Sequence, residues 1–168
     1  MRHPLDVPIR RLLVAASTLA CAAGMGRAVS AQAVDKASRL AGVLEVDVRA
    51  EAMWDEAITM SAGGATQEQF QQALAQTFRG AITEADAAPS VVDGAPATVV
   101  CHVDTYYETG LIVYSLRVQV EQPGADSQPV ITWIKSSVGS YTAQQMHQMF
   151  RLGEQCARSF LVDWRAGN

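Results

Sequence analysis

The sequence predicts an α+β fold, a two-layer sandwich in which both helices cover one face of a mostly antiparallel sheet. Residues 43–54 alternate apolar and polar side chains, as a strand with one buried side does. Residues 67–84 and 142–164 each carry one apolar stripe at helical spacing. Between them, residues 97–138 are rich in Val, Ile and Tyr and are interrupted by turn residues. The predicted order is β-α-β-β-β-α.

Residues 1–33 are predicted to be a cleavable signal peptide, and residues 34–168 a single domain. Residues 1–11 carry three arginines, residues 12–25 form an apolar and small-residue run, and residues 28–33 offer the small side chains that a signal peptidase reads. The apolar run is shorter than the roughly 20 residues needed to span a bilayer. We therefore expect the segment to be removed rather than retained as an anchor.

Cleavage is expected after Ala31 or Ala33, which places the domain in the periplasm or outside the cell. In an alternative route, Leu19-Ala20-Cys21 resembles a lipobox, and a lipid on Cys21 anchors the domain in the outer membrane. No later segment is apolar enough to span a membrane. Both routes lead to a compartment that permits disulfides.

The net charge of the domain argues against two kinds of partner. Four arginines and only one aspartate leave with the leader, so the net charge changes from −4 to −7. A negative surface repels phosphate groups at long range. We therefore expect neither nucleic acid nor an anionic membrane surface as a partner.

Two capping boxes mark where the helices begin. Thr66 with Gln69 opens the first helix, and Thr142 with Gln145 opens the second, which is predicted to run to about Trp164. The first helix has one apolar residue on every fourth position, at Phe70, Leu74, Phe78 and Ile82. Each helix therefore lies with one face on another layer.

The remaining strands are separated by recognisable turns. Residues 87–96 hold two prolines and a glycine and are predicted to be a loop with one brief extended piece. Residues 98–107 and 111–121 form a hairpin across the turn at 108–110. Residues 129–138 are predicted to add the third strand of this meander.

Two cysteines remain after the leader, and we predict that they form a disulfide. Cys101 alternates with Val99 and Val103 and therefore points towards the helices, while Cys156 lies on the apolar stripe of the last helix. The bridge closes a loop of some 55 residues, worth roughly 4 kcal/mol in the chain-entropy model. The alternative is two separate buried thiols.

His102, Asp104 and Tyr106 alternate on the strand face opposite Cys101. A histidine beside a carboxylate could act as a general base or supply two metal ligands. However, no motif marks a third ligand or a nucleophile, since the sequence has no glycine-rich phosphate loop, nucleophile elbow, HExxH or CxxC. The other interpretation is an ordinary solvated face. The sequence therefore favours a protein that is not an enzyme and predicts no cofactor.

The layout resembles the α/β module at the N terminus of TolB and in the curli secretion protein CsgG and related periplasmic lipoproteins. The resemblance rests on the helix at 67–84, the short step at 90–93, the meander at 97–138 and the closing helix to Trp164. It implies a domain that docks to other envelope proteins or oligomerises, with no catalytic residues. The propeller of TolB and the pore-forming hairpins of CsgG have no room in this chain.

These observations together predict an exported, non-catalytic binding or adaptor module of the bacterial cell envelope. Its expected partner is an envelope protein or a second copy of itself. Two alternatives stay open. One is a small metal-dependent or hydrolytic enzyme that uses His102 and Asp104, and the other is a carrier of a small apolar ligand between the sheet and the helices.

Overall fold

The computed structural model describes residues 36–61 and 65–168. The predicted leader at 1–33, with its cleavage site and the candidate lipidation residue Cys21, lies outside the described residues. The fold below is that of residues 37–168. Among the described residues, no helix has both the length and the apolar character that a membrane crossing requires.

The strands form one five-stranded sheet in the order β2-β1-β3-β4-β5. Strand β1 runs parallel to β2 and β3, whereas β3, β4 and β5 are joined by antiparallel ladders. The α+β fold is therefore confirmed, with a mixed sheet. In chain order the elements are β1 (Glu45–Met53), α1 (Glu56–Ser61), α2 (Gln67–Thr83), β2 (Ser90–Val91), β3 (Ala97–Glu108), β4 (Leu111–Pro123), β5 (Pro129–Thr142), a 3-10 helix (Ala143–Arg151) and α3 (Leu152–Gly167).

The core lies between one face of the sheet and the helices α2 and α3. The predicted stripe of α2 is fully buried, and Trp133 of β5 meets Phe160 of α3 with ring centroids 6.1 Å apart. The largest side chains in this layer have almost no accessible surface: Trp133, Phe70, Phe78, Phe160, Leu40, Ile58, Leu74, Ile82, Ile112, Leu116, Met149 and Leu152. The two-layer arrangement follows from burying these residues together.

The predicted disulfide joins the two layers. Cys101 of β3 is bonded to Cys156 of α3, with a Cα–Cα distance of 6.0 Å. Both residues have 0% of their surface exposed. Because one cysteine lies in the middle of the sheet and the other on the last helix, the bond fixes α3 to the sheet.

Each predicted capping-box pair, Thr66 with Gln69 and Thr142 with Gln145, is joined by hydrogen bonds at the start of a helix. The second pair opens a different kind of helix. Gln69 donates its backbone N–H to Thr66 Oγ1, and Thr66 donates its own to Gln69 Oε1, at 3.2 and 3.0 Å. Thr142 likewise donates to Gln145 Oε1 at 3.2 Å. The helix that follows Thr142 is 3-10 up to Arg151 and becomes an α-helix only at Leu152.

The spacing of the buried residues explains this difference. Met146, Met149 and Leu152 are buried at every third position, which matches the three residues per turn of a 3-10 helix. The sequence predicts a single uniform helix from Thr142 to about Trp164. That part of the prediction is wrong, and the boundary lies where the burial repeat lengthens.

Helix α1 was not predicted, and Asp55 accounts for its position. Asp55 Oδ1 accepts from the backbone N–H of Ala57 at 2.9 Å, which caps the helix, and Oδ2 accepts from that of Tyr107 at 2.8 Å. Its own N–H donates to Thr105 Oγ1 at 3.2 Å. The two accepted backbone bonds hold the pKa of the Asp55 carboxyl below its ordinary value. Asp55 therefore ties the start of α1 to β3 beyond the end of β1.

Helices α2 and α3 approach closely at Gly153. A Cβ atom there would lie 2.5 Å from both Leu74 O and Phe78 N, closer than two such atoms can be. Gly139 of β5 meets a similar constraint, because the ring of its cross-strand neighbour Tyr114 covers it. Glycine at these two positions lets the helices pack and lets a tyrosine ring lie across β5.

Candidate functional site

The sheet face opposite α2 and α3, here called the outer face, carries the residues that the sequence singled out. It is formed by the side chains of β1, β3, β4 and β5 that alternate with the buried ones. His102, Asp104 and Tyr106 all project from β3 onto this face, as predicted, because Val103 and Thr105 between them are buried on the other side.

His102 contacts a carboxylate of the neighbouring strand. Its Nδ1 atom lies 3.0 Å from Oε2 of Glu51, the residue opposite it in the parallel β1–β3 ladder. Its Nε2 atom is buried and has no hydrogen-bond partner, and only 15% of the side chain is exposed. A general base must reach the proton that it abstracts. In this arrangement one ring nitrogen faces Glu51 and the other is covered.

Asp104 and Tyr106 have other neighbours. Asp104 lies between Met53 of β1 and Ser115 of β4, and Tyr106 lies opposite Val113. The three predicted residues therefore share a face, while the carboxylate that contacts His102 comes from β1. Among the described residues, no group of three or more His, Cys, Asp or Glu side chains is arranged to hold a metal ion. The catalytic role of these three residues stays a prediction.

The charged side chains of the outer face are mostly acidic. Asp47 accepts from Arg49 at 3.2 Å, and Gln119 donates to Glu121 at 2.6 Å. By strand alternation, carboxylates outnumber guanidinium groups six to two: Glu45, Asp47, Glu51, Asp104, Glu108 and Glu121 against Arg49 and Arg117. A partner that meets this face therefore meets a negative potential.

Large apolar side chains are exposed on the same face. Val138 is 75% exposed, and Met53 and Tyr106 are each 54% exposed. Ile134 and Ile131 of β5 add to them. Several exposed apolar side chains on one surface, with charged groups on the same surface, are typical of an interaction site. This combination, rather than the His102 cluster, is the most distinctive feature of the outer face.

The helix side carries a groove of about 630 Å³ with mixed charge. It is lined by Tyr141, His147, Arg151, Glu154 and Arg158, among others. Arg151 donates to Glu154 at 2.8 and 2.9 Å, which holds the pKa of the Glu154 carboxyl below its ordinary value. The carboxylate of Glu154 thus offsets the charge of one of the two guanidinium groups.

Sequence reasoning missed Glu51 as the partner of His102 and missed the apolar side chains of β5. The alternation in β1 placed Glu51 on its polar side, which was the available signal. Pairing it with His102 required knowing that β1 lies parallel to β3 with Glu51 opposite His102. Two strands separated by some 45 residues do not reveal that register.

No protein-family model matches the chain, and no curated protein matches it. Among solved structures, a Xanthomonas campestris protein of the family DUF330 has 8% identity and a TM-score of 0.48, covering 72% of this chain and 85% of that one. The PelC dodecamer from Paraburkholderia phytofirmans has 14% identity and a TM-score of 0.42, covering 78% and 91%. A third, described as an uncharacterized protein, has 12% identity and a TM-score of 0.37, covering 72% and 96%. Likenesses this distant concern the arrangement of elements and carry no argument about function.

Proposed function

We propose that this chain is an exported, non-catalytic binding module of the bacterial cell envelope, and that its outer face holds a protein partner. The observation that carries the proposal is the exposure of Val138, Met53 and Tyr106 on a sheet face that α2 and α3 leave uncovered. Exposing such side chains to water costs free energy that a partner recovers by covering them.

The partner that fits this face presents basic residues together with apolar ones. The outer face has a surplus of carboxylates, including Glu45 and Asp104, in addition to its exposed apolar side chains. Complementary charge speeds association and excludes wrong partners. A second copy of the chain stacked face to face does not fit, because its carboxylates would meet these carboxylates.

The disulfide supports export. A buried bond between Cys101 and Cys156 persists in an oxidising compartment and is rare in the cytosol. The predicted leader and the bond thus point to the same location, the periplasm or the cell exterior. Lipid attachment at Cys21 is compatible with both the bond and the proposed role.

Photo-crosslinking in intact cells tests the proposal. A photoreactive residue at position 106, on the outer face, is expected to give an adduct with one protein. The same residue at Val162, which is 56% exposed on α3, is the matched control and is expected to give none. Charge reversal by Asp104→Lys with Glu51→Lys is expected to reduce the adduct at position 106 strongly, because it removes the attraction for a basic surface.

Two outcomes contradict the proposal. The first is no adduct from position 106, or an equal yield from positions 106 and 162. The second is an adduct that the charge reversals leave unchanged, since that would remove the argument for a basic partner. A substrate turnover abolished by His102→Ala would favour the enzymatic alternative instead.

A further inference from the structure

Strand β5 leaves a long edge of the sheet unpaired. It spans 14 residues and lies last in the sheet, whereas β2 at the opposite edge has only two residues. Among the described residues, the backbone of the stretch 133–140 has no partner other than β4. Natural proteins usually shorten, twist or charge such an edge, because it is a template for another strand. Lys135 is the only charged residue on β5, and Asp163 of α3 holds it on the helix side at 3.3 Å.

The hydrogen bonds at the start of the hairpin show which groups face this edge. Ala143 donates its N–H to Gly110 O at 3.4 Å, so Leu111 and Thr142 form a non-hydrogen-bonded pair. Consistently, the N–H of Thr142 turns away from β4 and donates to Gln145 Oε1. Since the two kinds of pair alternate along an antiparallel ladder, the backbone groups of Ile134, Ser136, Val138 and Ser140 face the open edge.

We propose that a second copy of this chain pairs with this edge, β5 against β5, antiparallel and with Ser136 opposite Ser136. A two-fold axis through that pair places Ile134 opposite Val138 of the second copy, and Val138 opposite Ile134. On the helix side it places Lys135 opposite Ser137 and Trp133 opposite Gly139. The two most exposed aliphatic residues of the regular part of the strand thus contact each other side by side on the outer face, and the pair occurs twice.

The neighbouring registers that keep both outer faces on the same side are poorer. A register centred on Lys135 places the two Lys135 ammonium groups opposite each other, and like charges in that position are destabilising. A register centred on Ser137 places Val138 opposite Ser136 and Ile134 opposite Ser140, so neither aliphatic residue gains an apolar neighbour. Of these three registers, the one centred on Ser136 avoids both defects.

Pairing at this edge also keeps the acidic surfaces apart. Five of the six outer-face carboxylates lie on β1 and β3, and β3 is separated from β5 by β4. The sixth, Glu121 of β4, lies beside Ile131 near the start of β5, so the two copies of Glu121 would be about ten residues apart along the strands. Five strand spacings then separate β3 of one copy from β3 of the other, about 24 Å. That exceeds the Debye length of about 8 Å at physiological ionic strength. The net negative charge of the chain is therefore compatible with edge pairing, although it disfavours face-to-face stacking.

The result would be a continuous ten-stranded sheet with both outer faces on the same side. This inference does not depend on the proposed partner, because it concerns the purified protein alone. If the proposed function is correct, the dimer would display two binding faces side by side.

Cysteine crosslinking tests the register. In the proposed pairing, the Cα atoms of the two Ser136 residues are about 5.5 Å apart, within the range of a disulfide. Ser136→Cys is therefore expected to give a covalent dimer under mild oxidation. Ser140→Cys, the same change on the same face, is the matched control. Its two copies would lie eight residues apart along the strands, about 27 Å, and should not crosslink.

Sedimentation of the purified protein tests the association itself. The unmodified chain is expected to show a concentration-dependent doubling of mass. Val138→Lys is expected to weaken the dimer by about tenfold or more, because the lost apolar pair occurs twice. Val162→Lys, on the exposed side of α3, should leave it unchanged. A protein that stays monomeric at high concentration, or equal crosslinking from positions 136 and 140, would overturn the inference.

Discussion

The disulfide is the residue-level feature with the clearest energetic consequence. Cys101 and Cys156 are 55 positions apart, and their bond removes much of the freedom of the unfolded chain. In the chain-entropy model that restriction is worth about 4 kcal/mol. Among the described residues, this disulfide is the covalent cross-link between α3 and the sheet, whereas α2 is held to the sheet by non-covalent contacts.

The double change Cys101→Ala with Cys156→Ala is expected to lower the free energy of unfolding by about 2–5 kcal/mol. Urea denaturation followed by circular dichroism measures this difference. A reducing agent should lower the midpoint of the unmodified protein in the same way and leave the double variant unchanged. A midpoint of the unmodified protein that reductant does not move would contradict the expectation.

The residue-level predictions succeeded wherever strand alternation was enough. Alternation in residues 97–108 placed Cys101 on the buried side and His102, Asp104 and Tyr106 on the outer side, and the structure agrees. It could not show that Glu51, rather than Asp104, contacts His102, because that contact depends on the register between two strands distant in sequence. The role of Asp55 was missed for the same reason, since Tyr107 is 52 residues away.

At the level of the elements, the crossing of α2 and α3 depends on Gly153. The change Gly153→Ala is expected to destabilise the protein by about 1–3 kcal/mol, because the new Cβ would overlap backbone atoms of α2 that cannot move aside easily. Gly80→Ala is the matched control. It also lies in a helix, has nothing within 4 Å of the added atom, and is expected to be neutral or to stabilise by up to about 1 kcal/mol. Thermal unfolding of the two variants measures the difference. Equal effects would show that Gly153 is not a contact point.

The long helices and strands could be predicted, whereas α1 and the 3-10 character of residues 143–151 could not. The capping boxes and apolar stripes located α2 and the last helical segment, because both signals are local. Whether residues 143–151 are 3-10 or α-helical depends on how Met146 and Met149 pack against the rest of the core. Helix α1 has only six residues, too few for a periodic pattern to be read from the sequence.

At the scale of the whole molecule, the sheet order determines what is available for binding. Placing β1 between β2 and β3 gives β1 a paired strand on both edges and leaves β5, the longest of the described strands, at the edge of the sheet. The sequence predicted the meander of β3, β4 and β5 from its short turns. It could not place β1, because a long crossover connection carries no information about which strand it joins.

The pH dependence of unfolding should reveal the link between β3 and α1. The pKa of Asp55 is lowered in the folded protein, so its carboxylate contributes stability above the unfolded pKa of 3.8, and this is lost as the pH falls through the lower folded value. The variant Asp55→Asn has no carboxyl group to titrate at this position. The stability difference between the unmodified protein and this variant is therefore expected to be constant above about pH 5 and to shrink below about pH 4. Urea titrations at a series of pH values measure it, and a difference independent of pH would contradict the assignment.

The complete burial of both sulfur atoms sets an order of events during biogenesis. An enzyme or small oxidant cannot touch either thiol once α3 has closed over the sheet, since both cysteines have no accessible surface. The disulfide must therefore form before α3 has packed onto the sheet. If oxidation of newly made chains is slow, a folded, reduced form would accumulate, and its thiols could react only after α3 separates from the sheet again.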